Sequence, residues 1–257
     1  MIKKMIKKIS IFSIIISIFL SFPSVYAQTT SITVRAKAKD AKFIGTSIGG
    51  AQIIIKNART GEILAEGITS GSTGDTEKIM KTPHKRGESM TDDKTAGFTA
   101  NLDLKEPVFV TVKAYAPVLK KQAAVLSSTQ LWLIPGKNIE GEGLVLDIPG
   151  FVVDILSPQT HEGIYTGSEL VLKANVVMMC GCPTSPNGIW NANDYEVKAL
   201  IQSDTGNRTE VELKFADKQS TFTATVALEK GVYHISIYAY DPKTGNTGLD
   251  QTSVIIK

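Results

Sequence analysis

The two cysteines of this 257-residue chain are separated by one glycine, in the segment Met178-Met179-Cys180-Gly181-Cys182. Two neighbouring thiols with adjacent thioethers support three kinds of chemistry. They form a disulfide with each other, they bind a soft metal such as Cu(I) or Zn(II) with Met178 or Met179 as further ligands, or they exchange thiols with another protein. Each chemistry predicts a different function for the chain.

Which of these three chemistries applies depends on whether the protein is in an oxidising or a reducing compartment. Residues 1–27 predict the compartment. The chain opens with a basic segment and continues with a short apolar run at positions 9–22. That run is shorter than the ~20 residues a membrane-spanning helix needs. The small residue Ala27 then closes a cleavage triplet. We therefore expect a signal peptide cleaved after Ala27, a secreted or periplasmic protein, and no membrane span after cleavage.

Cleavage also changes the charge. The whole chain has 28 basic and 25 acidic residues, net +3, but four of the lysines lie in the leader. The remaining chain carries 24 basic against 25 acidic residues, net −1. Nucleic-acid binding needs a basic face that neutralises phosphates, and the overall charge predicts no such partner.

An oxidising compartment favours bonded cysteines, so the pair Cys180 and Cys182 is expected to form a disulfide with each other. A zinc site needs four ligands, and neither a second cysteine pair nor a His-x-His motif completes one here. Thiol exchange usually relies on Cys-x-x-Cys at a helix start, whereas these residues end a predicted strand. The metal and exchange hypotheses stay open as alternatives.

The pattern of the mature chain predicts an all-β fold. Short runs rich in Val, Ile, Thr and Tyr alternate with polar residues and are bounded by Gly, Pro, Asn and Asp. Such a pattern indicates two consecutive β-sandwich domains after the cleaved signal peptide, at positions 28–149 and 150–257. A weak helix-like spacing is confined to positions 117–127. Trp132, in an apolar segment after it, is expected in the core or between the domains, with an exposed sugar platform as the alternative.

The first domain resembles the transthyretin-like fold of carboxypeptidase regulatory-like domains. The resemblance is carried by Gly50-Ala51-Gln52-Ile53, the turn at positions 57–62, Gly97-Phe98, and the strand at positions 108–115. It covers about 70 residues, and its motifs are turn and core features. It implies a fold and no activity.

Positions 70–96 depart from that family, which joins the flanking strands by a short link. Long loops in compact domains are functional or disordered. We expect either a mobile solvated loop or a partner-binding loop. In the second case His84, Lys85 and Arg86, with Lys78 and Lys81, form its basic part.

The second domain reads as a bacterial immunoglobulin-like sandwich of seven strands. Tyr233 resembles a tyrosine corner, and Ile235 stands where an antibody domain has its second cysteine. Cys180 and Cys182 end the second strand and open a loop that reaches Asp194. This loop is expected beside the loop at positions 241–250, at a pole where binding sites are often built. Trp190 is expected to cap the core there, with ligand contact as the alternative.

No Gly-x-Ser-x-Gly elbow, phosphate-binding loop or His-Glu-x-x-His helix is present, so we expect no enzyme. The leading hypothesis is an exported non-catalytic binding or structural protein without a cofactor, whose partner is a protein or a cell-envelope component. A first alternative is a periplasmic metal-handling or redox accessory protein that uses Cys180 and Cys182 with copper or zinc. A second is an accessory subunit of an exported enzyme.

Overall fold

The fold is known from a computed structural model, which describes residues 26–160, 162–216 and 218–257. Within these residues sixteen strands form four sheets, so the predicted all-β fold is confirmed. The predicted signal peptide lies outside the described residues except for Tyr26 and Ala27, which are both exposed. His161 also lies outside them. None of the described helices has the length and apolar character needed to cross a bilayer.

Residues 28–148 form two sheets, called here the N-terminal sandwich. One sheet has the order β4-β1-β7 and the other β3-β2-β5-β6. Strand β1 runs antiparallel to β4 and parallel to β7. The strands are β1 (Gln28–Ala38), β2 (Gln52–Asn57), β3 (Ile63–Ile68), β4 (Phe98–Leu104), β5 (Val108–Ala116), β6 (Val125–Leu133) and β7 (Ile139–Ile148). A 3-10 turn at Thr46–Ile48 and a π-helical turn at Glu77–Lys81 interrupt the loops.

Residues 151–257 form the other two sheets, the C-terminal sandwich. Their orders are β13-β14-β10-β8 and β12-β11-β15-β16-β9. The strands are β8 (Phe151–Ser157), β9 (Gly163–Ile164), β10 (Glu169–Met178), β11 (Glu196–Ser203), β12 (Arg208–Glu212), β13 (Lys214–Phe215), β14 (Thr221–Ala227), β15 (Gly231–Tyr240) and β16 (Thr247–Ile256). One 3-10 turn, Ala192–Asp194, precedes β11.

Period-two burial explains why these segments are strands. In β10 the alternate residues Leu170, Leu172, Ala174, Val176 and Met178 are all buried, while their neighbours face outwards. Inward apolar side chains gain ~25 cal/mol for each Å² removed from water, and this gain fixes which face of each strand turns inwards.

Two expectations for the N-terminal sandwich are wrong. The segment predicted as helix-like at positions 117–127 forms turns up to Ala124 and then enters β6, because pairing with β5 outweighs a weak helical spacing. Trp132 lies neither in the core nor between the sandwiches: it is 53% exposed on the outer face of β6. Its ring contacts Phe109 on β5, with centroids 5.1 Å apart.

The tyrosine corner is confirmed, because the Tyr233 hydroxyl donates to the Glu229 carbonyl at 3.0 Å. We expect Tyr233→Phe to lower the free energy of unfolding by about 1 kcal/mol, the net contribution of one such bond. Urea unfolding measures the change. Tyr165→Phe is the control, since Tyr165 is 70% exposed and its substitution should leave the midpoint unchanged. Equal midpoints for both variants would contradict a stabilising corner.

Candidate functional site

The predicted cysteine site is a tight turn that follows β10. The Met178 amide donates to the Cys182 carbonyl at 3.0 Å, and the Gly181 amide donates to the Met178 carbonyl at 2.7 Å. Gly181 has φ of +75°, a conformation that glycine adopts without strain. The turn brings the Cα atoms of Cys180 and Cys182 to 5.3 Å, and their sulfur atoms lie within bonding distance.

This turn faces the N-terminal sandwich and not solvent. A Cβ added at Gly181 would lie 3.3 Å from the Ile48 side chain, so the turn packs against the 3-10 turn between β1 and β2. Only 1% of Cys180 and 5% of Cys182 is exposed. Trp190, in the same loop, donates its indole N–H to the Asp40 carbonyl at 3.0 Å.

Asn246 completes the contact from the loop between β15 and β16. Its side-chain oxygen accepts from the Gly150 amide at 2.9 Å, and its side-chain nitrogen donates to the Lys39 carbonyl at 3.1 Å. One fully buried amide therefore binds both the connecting segment and the N-terminal sandwich. The Lys39 ammonium adds a bond to the Thr244 carbonyl at 2.6 Å.

We call this region the joint. It is formed by Lys39, Asp40 and Ile48 on one side and by the cysteine turn, Trp190 and Asn246 on the other. The two loops of the C-terminal sandwich meet there as expected, since Lys243 forms an ion pair with Asp194 at 2.7 Å. This pole, where binding sites are often built, packs on the other sandwich.

Charge is concentrated at the joint. Partial burial of the side chain, and then the nearby Asp241 carboxylate, raise the pKa of Asp40 above its ordinary value. Burial is also the main cause that raises the pKa of Tyr195, with Asp241 and Asp40 contributing. The Tyr195 ring packs edge-on against Phe151, the first residue of β8, with centroids 4.9 Å apart. Asp40 of the N-terminal sandwich and Asp241 of the C-terminal sandwich therefore act on each other where the sandwiches meet, with Lys39 as a nearby opposite charge.

A second contact lies beside the joint. Lys120 forms an ion pair with Asp154 of β8 at 2.7 Å, and the Gln122 amide donates to the same carboxylate. Between the sandwiches here is an open cleft of about 460 Å³, lined among others by Ala123, Phe151 and Tyr238. This second contact adds to those of the joint in holding the two sandwiches together.

The remaining candidate metal ligands lie in the core. Met178 and Met179 are fully buried, and the Tyr195 hydroxyl lies 4.0 Å from the Met178 sulfur. Over the described ranges no group of three or more His, Cys, Asp or Glu side chains is arranged to hold a metal ion. His234 points away from the core, as its parity predicts, and lies 2.8 Å from the Ser253 hydroxyl.

The two ends of the loop at positions 70–96 pair with each other and are held by the N-terminal sandwich. Ser70 pairs with Gly97, and Ser72 with Thr95. The buried guanidinium of Arg35 donates to the carbonyls of Thr95 and Ala96, and also to those of Gly141 and Glu142.

The partner-binding candidates do not come together. His84, Lys85 and Arg86 are exposed at the tip of this loop, and a ring nitrogen of His84 lies 3.2 Å from the Ile79 carbonyl. Trp190 lies in the joint with 7% of its surface exposed, which leaves little of the ring for an external ligand. Lys39, Asp40 and Asn246 had no sequence signal, because their role depends on how two separately patterned sandwiches meet.

No protein-family model matches the sequence, and no curated protein matches it. Among solved structures, the fibronectin(III)-like modules of Clostridium thermocellum CbhA are 13% identical, with 89% of this chain and 94% of that chain covered and a TM-score of 0.31. The chicken interferon gamma receptor alpha chain is 9% identical, with 89% and 98% covered and a TM-score of 0.31.

A tetra-tandem repeat from the extending region of a large adhesion protein is 12% identical, with 89% of this chain and 50% of that chain covered and a TM-score of 0.29. At these identities and TM-scores the three matches assign no activity to this chain. The narrower transthyretin-like resemblance stays a prediction.

Proposed function

We propose that this chain is an exported, non-catalytic binding or structural protein in which the joint holds two β-sandwiches as one scaffold. The observation that carries the proposal is the position of the reactive residues. Cys180, Cys182 and Trp190 are buried where the sandwiches meet, so their chemistry serves the contact. The surfaces left free for a protein or cell-envelope partner are sheet faces and loop tips.

The burial of Cys180 and Cys182 favours a disulfide over thiol exchange and metal binding. Thiol exchange requires an accessible thiolate, and neither cysteine is more than 5% exposed. The two sulfur atoms are close enough to bond to each other. A disulfide at this position restrains the turn that packs on Ile48, and so it belongs to the scaffold.

Mass spectrometry of the exported protein tests export and the disulfide together. We expect a chain that begins at Gln28. Under denaturing conditions we expect no alkylated cysteine before reduction and two after reduction. The Cys180→Ser/Cys182→Ser variant is the control for alkylation. It should also match the wild-type chain in an insulin-reduction assay, since no exchange activity is expected.

Three results would contradict the proposal. A protein found in the cytoplasm with its leader uncleaved would contradict the proposed export. Two thiols that are alkylated in the unfolded, unreduced exported protein, or copper retained through purification, would favour the metal-handling or redox function. A reductase rate that depends on Cys180 or Cys182 would make the chain an enzyme.

A further inference from the structure

The free edge of β6 has no feature that blocks the addition of another strand. The strand is nine residues long and pairs with β5 at every position from Val125 to Leu133 without a register shift. It contains no charged residue, proline or glycine. Long, regular and uncharged edges of this kind are templates for a further strand, because alternate backbone N–H and C=O groups point outwards unpaired.

The other sheet edges of the described fold carry protection. Strands β9 and β13 have two residues each, and β3 is short and pairs with β2 through a register shift. Strands β7 and β8 each contain acidic residues and a register shift. Strand β4 carries an aspartate, and three of the five residues of β12 are charged. These are the devices that keep natural sheets from joining edge to edge, and β6 lacks them.

The side chains of β6 are correspondingly uncovered. On its outer face Leu126 is 58% and Trp132 53% exposed. On its inner face Val125, Thr129 and Leu131 are only partly buried, although they point towards the core. Among the described residues, no backbone hydrogen bond of β6 to any element other than β5 is present. Both faces of the edge thus gain burial if a strand is added.

We propose that β6 pairs antiparallel with β6 of a second copy of this chain, about a two-fold axis through Thr129. In that register Leu126 lies opposite Trp132 of the other copy, and Ser128 lies opposite Gln130. Val125 lies opposite Leu133 on the inner face. The two four-stranded sheets become one continuous sheet of eight strands.

The order of residues in β6 is what selects a second copy over an unrelated strand. In both directions from Thr129, the outer face presents first an uncharged polar residue, Ser128 or Gln130, and then a large apolar one. A two-fold axis pairs polar residues with polar residues and apolar residues with apolar residues, so Leu126 and Trp132 of the two copies cover each other. Aromatic–aliphatic cross-strand pairs stabilise sheets, and Phe109 already supports the Trp132 ring from behind.

Sedimentation equilibrium over a range of protein concentrations tests the proposal. We expect the wild-type chain to reach twice the protomer mass, and Leu126→Glu to weaken the dimer roughly tenfold or more, because the two-fold axis counts the change twice. Ile68→Glu is the matched control. Ile68 lies on β3 at the opposite edge of the same sheet, in the same cross-strand row, and is 55% exposed. The Ile68→Glu variant should dimerise like the wild-type chain.

Charge pairs then test the register. Ser128→Glu/Gln130→Glu places like charges opposite each other across the axis and should abolish the dimer. Ser128→Lys/Gln130→Glu places opposite charges there and should retain it, with the same number of substitutions. Thermal unfolding at low concentration checks that both variants fold. A wild-type chain that stays monomeric, equal effects of Leu126→Glu and Ile68→Glu, or equal masses for the two charge variants would overturn the proposal.

Discussion

Replacing Trp190 with alanine is expected to lower the free energy of unfolding by roughly 3–5 kcal/mol and to let the two sandwiches move relative to each other. The substitution removes a large buried ring and also the indole N–H that binds the Asp40 carbonyl across the joint. Urea unfolding measures the loss of stability. Small-angle X-ray scattering measures the movement, as an increase in the maximum dimension of the particle.

Two control variants separate the causes. Trp190→Phe keeps much of the ring and removes the hydrogen bond, so it should cost about 1 kcal/mol. Trp132→Ala makes the same substitution at a half-exposed position, where the ring contacts Phe109, and should lower the stability of the dilute protein by only about 1 kcal/mol. An unchanged scattering profile for Trp190→Ala, together with wild-type stability, would mean that Trp190 does not hold the joint.

Replacing Arg35 with methionine is expected to cost about 3 kcal/mol and to release the loop at positions 70–96. The guanidinium donates to four backbone carbonyls, and it lies within a sheet with only 8% of the residue exposed. Methionine fills similar space without a donor. The buried carbonyls of Thr95 and Ala96 would then lack this partner, at about 1–3 kcal/mol each before any relaxation.

Hydrogen exchange and limited proteolysis follow the loop directly. In Arg35→Met we expect faster amide exchange and new cleavage between positions 70 and 96. Lys42→Met is the control, because the Lys42 ammonium also reaches this loop, at 2.9 Å from the Thr76 hydroxyl, but from a partly exposed position. It should cost less than ~1 kcal/mol. Equal protection of the loop in both variants would show that Arg35 does not anchor it.

Most strands of the C-terminal sandwich were predictable because their residues alternate between a buried and an exposed face, as in β10. The structure has nine strands where seven are expected, because it adds the two-residue β9 and divides one expected strand into β12 and β13, which belong to different sheets. Parity in β10 and β15 distinguishes inward from outward residues, so the Tyr233 corner and the outward His234 also followed from sequence. Strands of this kind carry their structural information locally.

Strand β6 was not predictable in this way because it has apolar residues on both faces. Leu126 and Trp132 point outwards while Val125, Leu131 and Leu133 point inwards, so the period-two signal cancels. The expectation that Trp132 is buried was wrong because β6 is an edge strand, and no neighbouring strand covers its outer side chains. The same cancellation is a mark of an edge that can accept a partner.

The joint was beyond sequence reasoning for a different reason. Cys180, Cys182 and Trp190 could be placed at one pole of the C-terminal sandwich, and they are there. Nothing local indicates that this pole packs on Ile48, or that Asn246 binds Lys39 and Gly150. Such contacts depend on the relative placement of two independently patterned units.

The parallel pairing of β1 with β7 has a mechanical consequence. Gln28 begins β1 far from the joint, whereas Ile148 ends β7 at the joint, next to Lys39. Tension between Gln28 and the C-terminal sandwich therefore pulls these two strands in opposite directions along their length. The hydrogen bonds between β1 and β7 are then loaded together in shear, and not one after another as in unzipping. The N-terminal sandwich can therefore transmit tension to the joint without separating these two strands.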